Sequence, residues 1–529
     1  MSPEAQEFLG TFVPESFYYW SSVFMLLIHA GFLAYEGGAS RTKNVLATMV
    51  KNLLTLASVG LGFFFFGWWV YNAFPFFPIT GGILGPWTNP QQSETIATAM
   101  TYVDASYPWS PALGPNTADH ITGVFFFAFA LFAMTTASIL SGALIERVKI
   151  GAYLVMSIVL GCFTWVVAAA WGWNAFGWMF TRLGYHDFGC AGVVHGVSGF
   201  FTLGVLMNLG PRIGKYDANG KPRPILPHNL PLTMVGLMLI FVGFYAFLAA
   251  CLIYLPGYEK ETTIYGTPMT LASIGVSTTL ALAAGLVGAY VSSKGEPFFT
   301  ISGGLAGIIT AGAGMDIYHP SIVIILAFGA AFLMPKVIVA IEKFGIDDAV
   351  GAVGVHGFCG LLGSVLVGFV AAGYPQGDGI PNINPIGQIM GALICTILLG
   401  FIPGYATSWI LKKFNLLRVS REEELEGLDI ADLGVEGYPE YATPSFVTHV
   451  TEREAIAPPQ FSRPRPRIGE PNEQSFYQLS RIFRSGRSDL HLRQQSDDDR
   501  LFARHLFGNH RVFLLRFLHD EAGQVGQSG

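Results

Sequence analysis

The sequence predicts an all-α polytopic membrane protein, on the basis of its composition and of the lengths of its apolar runs. Of the 529 residues, 51% are hydrophobic and 12% are charged, whereas a soluble domain carries about 25% charged residues. Apolar runs long enough for a bilayer core, which takes about 20 residues per helix, follow one another from residue 16 to residue 411. Disordered, fibrous and nucleic-acid-binding classes are therefore excluded for most of the chain.

The apolar runs predict eleven transmembrane helices. Their bounds are 16–36, 47–76, 119–143, 150–178, 187–209, 229–255, 268–293, 298–315, 320–341, 351–374 and 385–411. The eighth run is rich in glycine, which lowers its hydropathy but suits a helix that must approach its neighbours closely. The first 16 residues contain no Lys or Arg, so no cleavable signal peptide is expected.

The basic residues of the short loops predict the orientation of the chain. Loops after odd-numbered spans carry Lys and Arg, as at Arg41, Lys43, Arg147 and Lys149, whereas the long loop 77–119 carries none. Because basic loops stay on the cytoplasmic side, the N-terminus is predicted outside and the C-terminus inside. This pattern also favours an odd number of spans.

Three regions are predicted along the chain. Residues 1–411 form the transmembrane domain, and 412–454, which are polar and acidic, form a cytoplasmic regulatory region. Residues 455–529 are rich in Arg and Pro and are predicted to be disordered. The net charge of −6 leaves no global basic surface for nucleic acid, and the five cysteines lack the paired spacing of a disulfide framework or a zinc site.

Spans five and ten contain the same motif. Each has an aspartate eight residues before the histidine of a Val-His-Gly triplet, namely Asp187 before His195 and Asp348 before His356. Eight residues correspond to about 12 Å of helix, which places each histidine near the middle of the membrane. Because the two spans are five apart, they run in opposite directions, as in an inverted repeat of helices 1–5 and 6–10. Such repeats place a transport site at the midplane.

The paired histidines indicate what could pass between them. Ionisable residues inside a membrane span are energetically costly and tend to face a pathway or a partner. A third intramembrane histidine, His29, is interpreted as forming a hydrogen bond between helices. A bare cation in an apolar channel would lose tens of kcal/mol of hydration in an idealised medium of low dielectric. Neutral imidazole both donates and accepts a hydrogen bond and can relay a proton. The pattern therefore favours a solute that sheds its charge at the mouth of a pore.

Several further segments give the chain a family resemblance. These are 36–44 (EGGASRTKN), 142–147 (GALIER), 227–231 (PHNLP) and 417–429 (LRVSREEELEGLD). Together with the histidines, they resemble the ammonium transporter / methylammonium permease / Rhesus family from residue 15 to about 440. The resemblance implies a homotrimer in the plasma membrane, with one pore per subunit, that takes up ammonium as ammonia plus a proton. It implies no enzymatic activity, no cofactor and no metal, and contact with a PII-type nitrogen regulatory protein on the cytoplasmic face.

The resemblance also implies roles for individual residues. It places a proton relay at His195 and His356, a pore gate at Phe132 and Phe244, and an ammonium-binding vestibule at Trp173, Phe132 and Asp187. Trp171 is the alternative to Trp173, because this loop is longer than usual. Asp187 is expected to orient the backbone and support the cation without touching it. Without the resemblance, Phe132, Phe244 and the two tryptophans would be interpreted as ordinary lipid-facing or interfacial packing.

Two positions depart from the family pattern. Leu248 stands where the family commonly has a serine whose hydroxyl helps to bind ammonium, within the sequence Tyr245-Ala-Phe-Leu248. Gly351 stands where a second aspartate is expected after Asp348. Both changes remove polar contacts, so they predict weaker binding of ammonium.

Three alternative functions compete with transport. The first is an ammonium sensor with little flux, which would signal through the cytoplasmic tail; the missing hydroxyl and the Arg-rich extension favour it. The second is an intramembrane metalloenzyme, which is disfavoured because no third ligand and no open metal position are evident. The third is a Rhesus-like gas channel, which the tail motif disfavours.

Overall fold

Helices account for nearly all of the regular structure in the computed structural model, which describes residues 2–75, 120–174, 176–252, 263 and 269–439. The apolar helices are α1 (Pro3–Ala39), α2 (Thr42–Asn72), α3 (His120–Ala143), α4 (Ile150–Gly172), α5 (Ala191–Leu209), α6 (Leu230–Ala250), α7 (Leu271–Ser293), α8 (Pro297–Gly312), α9 (Pro320–Lys343), α10 (Val353–Val370) and α11 (Pro385–Lys413). Two short helices, α12 (Arg421–Glu426) and α13 (Leu428–Leu433), follow. Extended pairing within the described ranges is limited to two isolated bridges.

The predicted all-α membrane fold is confirmed. Ten of these helices are long and apolar enough to cross a bilayer, and α8, with 16 residues, is a shorter apolar helix. Each predicted span coincides with one helix, but some ends differ. The fifth span, predicted from 187, begins at Ala191, and the fourth, predicted to 178, ends at Gly172. The loop 77–119 and the Arg-rich tail 455–529 lie outside the described residues.

Proline and a capping side chain start several helices at sharp positions. Pro297, Pro320 and Pro385 occupy first helical positions, where a missing N–H costs nothing. The Asn384 side chain accepts a hydrogen bond from Gly387 N, and that of Glu296 accepts one from Phe299 N. These caps satisfy N–H groups that have no partner inside the helix.

The glycines of α8 allow α7 and α8 to touch backbone to backbone. A Cβ atom on Gly285 would lie 2.2 Å from the carbonyl oxygen of Gly303, and one on Gly303 would lie 2.3 Å from the Cβ of Ala289. Small residues at such contacts let membrane helices gain van der Waals packing where no hydrophobic effect drives association. Close packing therefore explains the low hydropathy of the eighth span.

A buried ion network joins the loops at one end of the bundle. The Arg212 guanidinium donates to both carboxylate oxygens of Asp347 at 2.8 and 2.9 Å, and Arg147 donates to the Asp347 carbonyl oxygen at 2.6 Å. Glu146 accepts from the backbone and side chain of Arg41 at 2.7 Å. Burial alone would raise the pKa of Asp347, but Arg147 and Arg212 outweigh it and hold that pKa well below its usual range. The network fixes the backbone next to Asp348.

The segment after α11 packs against the same end of the bundle. Asp429 in α13 accepts hydrogen bonds from Leu46 N and Ala47 N, at 3.1 and 2.8 Å, in the first turn of the main α-helical part of α2. Its carboxylate thus caps another helix and faces the positive end of that helix's dipole. Gly427 has φ +114° and lies so close to Lys43 that a Cβ would come 2.6 Å from the Lys43 carbonyl oxygen. Residues 417–433 are therefore part of the folded body.

Asp429→Ala is expected to weaken the packing of residues 417–433 against the bundle by about 1 kcal/mol, the usual cost of losing a helix-capping side chain. Trypsin cleavage at Arg421, measured on purified protein in detergent, should then be several-fold faster than in wild type. Asp432→Ala changes an exposed aspartate on the same helix and is the matched control. Equal cleavage rates in all three proteins would contradict this role of Asp429.

Candidate functional site

The two repeated motifs adopt the same unusual backbone. The segments Ala191–Gly196 and Val353–Phe358, which contain His195 and His356, are π-helical turns at the starts of α5 and α10. One oxygen of Asp187 accepts from Gly192 N and Val193 N at 2.9 Å, and one oxygen of Asp348 accepts from Val353 N at 2.7 Å. Widened turns of this kind are frequent at functional sites. Each aspartate therefore holds the backbone that carries a histidine.

The residue three positions after each aspartate has left-handed backbone geometry. Cys190 has φ +61° and Gly351 has φ +73°. This region favours Gly, Asn and Asp, so glycine at 351 meets the same backbone requirement as the aspartate that the family pattern leads one to expect. Cys190 is the unusual member of the pair, because side chains other than these seldom adopt this conformation. The duplicated geometry supports an internal repeat.

Helices α5 and α10 cross through a reciprocal pair of glycine contacts. A Cβ on Gly199 would lie 2.1 Å from Gly357 N, and a Cβ on Gly360 would lie 2.6 Å from Gly196 N. In each contact, the glycine four residues after one histidine lies against the glycine that directly follows the other. Only glycine permits backbones this close. The crossing therefore fixes the distance between the two histidine backbones.

The two imidazole rings meet at this crossing. His195 Nδ1 lies 3.0 Å from His356 Nδ1, the ring centroids are 5.1 Å apart, and the side chains are 1% and 5% exposed. A hydrogen bond between two Nδ1 atoms needs one donor and one acceptor, so the neutral rings hold opposite tautomers. His195 Nε2 is buried without a hydrogen-bond partner among the described residues. The two Nε2 atoms, on the far sides of the rings, can therefore exchange protons with different neighbours.

A column of aromatic rings leads to His195. Trp173 lies 5.0 Å from Phe132, Phe132 lies 4.3 Å from Phe247, and Phe244 is stacked at 5.8 Å from His195, between ring centroids. The Trp173 indole donates to the Phe188 carbonyl oxygen at 3.2 Å, which fixes its ring. The structure thus brings Trp173, Phe132 and Phe244 together with the histidines.

Trp171 and Asp187 lie outside the column of aromatic rings that leads to His195. The Trp171 indole donates to the Phe74 carbonyl oxygen and its ring packs on Trp178, so it lies away from Phe132. Asp187 is 3% exposed, and one of its oxygens is occupied by the backbone N–H groups described above. Trp173 is therefore the better candidate for a vestibule, and Asp187 is hydrogen-bonded to the backbone just before His195.

Phe247 is a site residue for which the sequence predicted no role. Its side chain is fully buried between Phe132, Phe244 and His195, with ring centroids 4.3, 5.2 and 6.2 Å away. Its neighbour Leu248 is 1% exposed and packs against Gly189, just before α5. The sequence signal for its role was the departure from the family pattern around position 248, where the large apolar side chains Phe247 and Leu248 are adjacent. They make this part of the site more apolar than the family pattern predicts.

The model of the Ammonium Transporter Family matches residues 16–438. The chain belongs to the ammonium transporter family. The chain is 31% identical over 427 residues to ammonium transporter Amt2 of Methanocaldococcus jannaschii, covering 79% of this chain and 89% of that protein.

Solved structures of the family share the fold. A structure named Sensor Amt Protein superimposes with a TM-score of 0.65 and 25% identity, over 80% of this chain and 99% of that one. Mep2 of Candida albicans superimposes with a TM-score of 0.59 and 21% identity, over 82% and 91%. The family match and the ten long apolar helices together identify a multi-pass membrane protein of a transport family.

Proposed function

We propose that this protein carries ammonium inward across the plasma membrane as ammonia plus a proton, past His195 and His356. The single observation that carries the proposal is the buried Nδ1–Nδ1 contact of 3.0 Å at the crossing of α5 and α10. It provides a proton path in a region that a bare cation enters only at a large cost in hydration. Membership of the family supports ammonium as the substrate.

The aromatic column would act before the histidines. Aromatic faces attract a cation by about 0.5–2 kcal/mol, depending on how far it is desolvated, so Trp173 can hold ammonium at the outer end. Phe132, Phe247 and Phe244 then form an apolar barrier that favours passage of neutral ammonia. The proton would pass separately from His195 to His356. Ammonium would form again on the side of the tail.

The test is the current of purified protein in liposomes on a solid-supported membrane, with ammonium and potassium pulses compared. The proposal predicts a current with ammonium and none with potassium, since potassium has no proton to give up. Equal currents with both ions would contradict the relay. Absence of any ammonium current, with ammonium binding by calorimetry, would favour a sensor.

The sensor is the second candidate, and two observations favour it. The structural neighbour named Sensor Amt Protein has a TM-score of 0.65. In addition, Phe247 and Leu248 are buried in the approach to His195, where they leave fewer polar contacts for a passing ion. Under this proposal, residues 412–454 would transmit the bound state to a PII-type partner, and the packing of α13 against α2 would be the contact that changes. We further propose a homotrimer, in keeping with the family resemblance.

Trp173→Leu should weaken ammonium capture at low concentration and leave the maximal current at high concentration nearly unchanged. The loss of one cation–π partner is expected to raise the apparent half-saturating concentration by about two- to thirty-fold. Trp171→Leu is the matched control, because its ring lies against Trp178. The same shift in the control, or no shift in Trp173→Leu, would contradict the assignment of the vestibule. The measurement is the concentration dependence of the current.

A further inference from the structure

A small cavity lies on the side of His356 that faces away from the aromatic column. Its volume is about 20 Å³, which is room for about one water molecule. Four polar side chains line it: Tyr35, Glu36, Ser302 and His356. Because His356 Nδ1 contacts His195, Nε2 is the ring nitrogen left to face this cavity. A water there would have enough polar partners to be held.

Glu36 is an ionisable residue inside the bundle, with 1% of its surface exposed. Its carboxylate accepts hydrogen bonds from Asn52 Nδ2 at 2.8 Å and from the Ser141 hydroxyl. Lys51, itself 4% exposed, donates to the Ser141 carbonyl oxygen at 3.1 Å, so the ammonium group lies in the same cluster. Charged groups this deep in a membrane protein usually mark an ion or proton pathway.

Helix stability does not explain an acidic residue at this position. Glu36 lies in the last turn of α1, where the negative end of the helix dipole disfavours a carboxylate. A glutamine there could accept from Asn52 Nδ2 with its carbonyl oxygen and donate from its amide nitrogen to the Ser141 hydroxyl, with nearly the same shape and without a charge to bury. What glutamine could not do is take up a proton.

We propose that Glu36 is the proton acceptor on the tail side of the histidine pair, reached from His356 through one water. This inference rests on the proposed proton relay. The N–H bond at His356 Nε2 breaks as its proton joins the water oxygen, and one of the water's O–H bonds breaks as that proton joins the Glu36 carboxylate. A cationic histidine pair and an anionic carboxylate become a neutral pair and a neutral acid, and no electron is transferred. The ammonium group of Lys51 then favours return of Glu36 to its charged form.

The proposal is tested with Glu36→Gln in liposomes, by recording the ammonium-evoked current and the alkalinisation of the lumen with a pH dye. Ammonia that enters without a proton raises the internal pH, so the two signals separate the neutral and charged parts of the flux. We expect the current to fall about tenfold or more, since a positioned acid–base group contributes at least that much, while alkalinisation persists. Glu36→Asp, which keeps a carboxylate, should regain part of the current.

Two further variants complete the test. Ala352→Val adds methyl groups to the cavity wall and should lower the current while Glu36 stays in place. If Glu36→Gln does not fold, this variant tests the proposed proton transfer to Glu36. Glu342→Gln changes a glutamate paired with Lys215 outside the cavity and should keep the wild-type current.

The outcomes separate this proposal from the transport function. Wild-type current in both Glu36→Gln and Ala352→Val would overturn the role of Glu36 and leave the histidine relay intact. Equal loss of current and alkalinisation in folded Glu36→Gln would show a structural role and would also overturn it. A wild-type protein without ammonium current would contradict the proposed function itself, and this step with it.

Discussion

Replacing either His195 or His356 by alanine is expected to abolish the ammonium-evoked current. Each ring supplies one nitrogen to the buried Nδ1–Nδ1 contact of 3.0 Å, so loss of one ring leaves the other without a proton donor or acceptor. Removal of a positioned acid–base group lowers rates by about a hundredfold or more. The measurement is the solid-supported-membrane current of each variant against wild type.

The matched control for the histidine variants is His29→Leu. His29 is also a buried histidine inside the bundle, and its ring lies 3.4 Å from the hydroxyls of Thr135 and Ser138, away from the pair. Its current should stay close to that of wild type. Wild-type current and wild-type discrimination against potassium in both His195→Ala and His356→Ala would contradict the relay.

Gly199→Ala is expected to have the largest effect on the fold. The added Cβ would lie 2.1 Å from Gly357 N and 2.3 Å from Gly357 Cα, and these are backbone atoms that cannot rotate away. Forcing a methyl group into a close-packed contact costs about 1–3 kcal/mol, and more where the backbone must move. Because α5 and α10 would have to separate, the two histidine rings would separate as well. We therefore expect a lower melting temperature together with a loss of current.

Gly329→Ala provides the control for that substitution. Gly329 lies within α9, and a Cβ there would meet no atom within 4 Å. The same chemical change should therefore leave the melting temperature in detergent unchanged or slightly raised, as alanine favours helix. A Gly199→Ala protein as stable as this control would show that the crossing tolerates a wider spacing.

The helices were predictable because lipid leaves the backbone few alternatives. A span without water must satisfy every N–H and C=O internally, so apolar length alone located the apolar helices α1 to α11. The ends of the helices were harder to predict than their positions. The fifth helix begins at Ala191 and not at 187, because Asp187 accepts hydrogen bonds from the first turn and therefore stands just before it.

The histidine pair was predictable from the repeat, whereas its surroundings were not. Spacing along the chain could not decide between Trp171 and Trp173, because the difference lies in which ring faces Phe132 across the bundle. The cavity beside Glu36 arises from contacts between helices distant in sequence. Such contacts leave no local signature in one sequence.

The opposite tautomers of the two rings have a consequence for turnover. When a proton enters at His195 Nε2 and another leaves from His356 Nε2, the hydrogen between the two Nδ1 atoms moves from His195 to His356. Each ring then carries its hydrogen on the other nitrogen. His195 Nε2 then already carries a hydrogen and cannot accept a second proton. Under the proposed relay, the two rings must therefore return to their starting tautomers before they carry another proton in the same direction, which would limit leakage of bare protons and would tie each charge that crosses to one complete cycle.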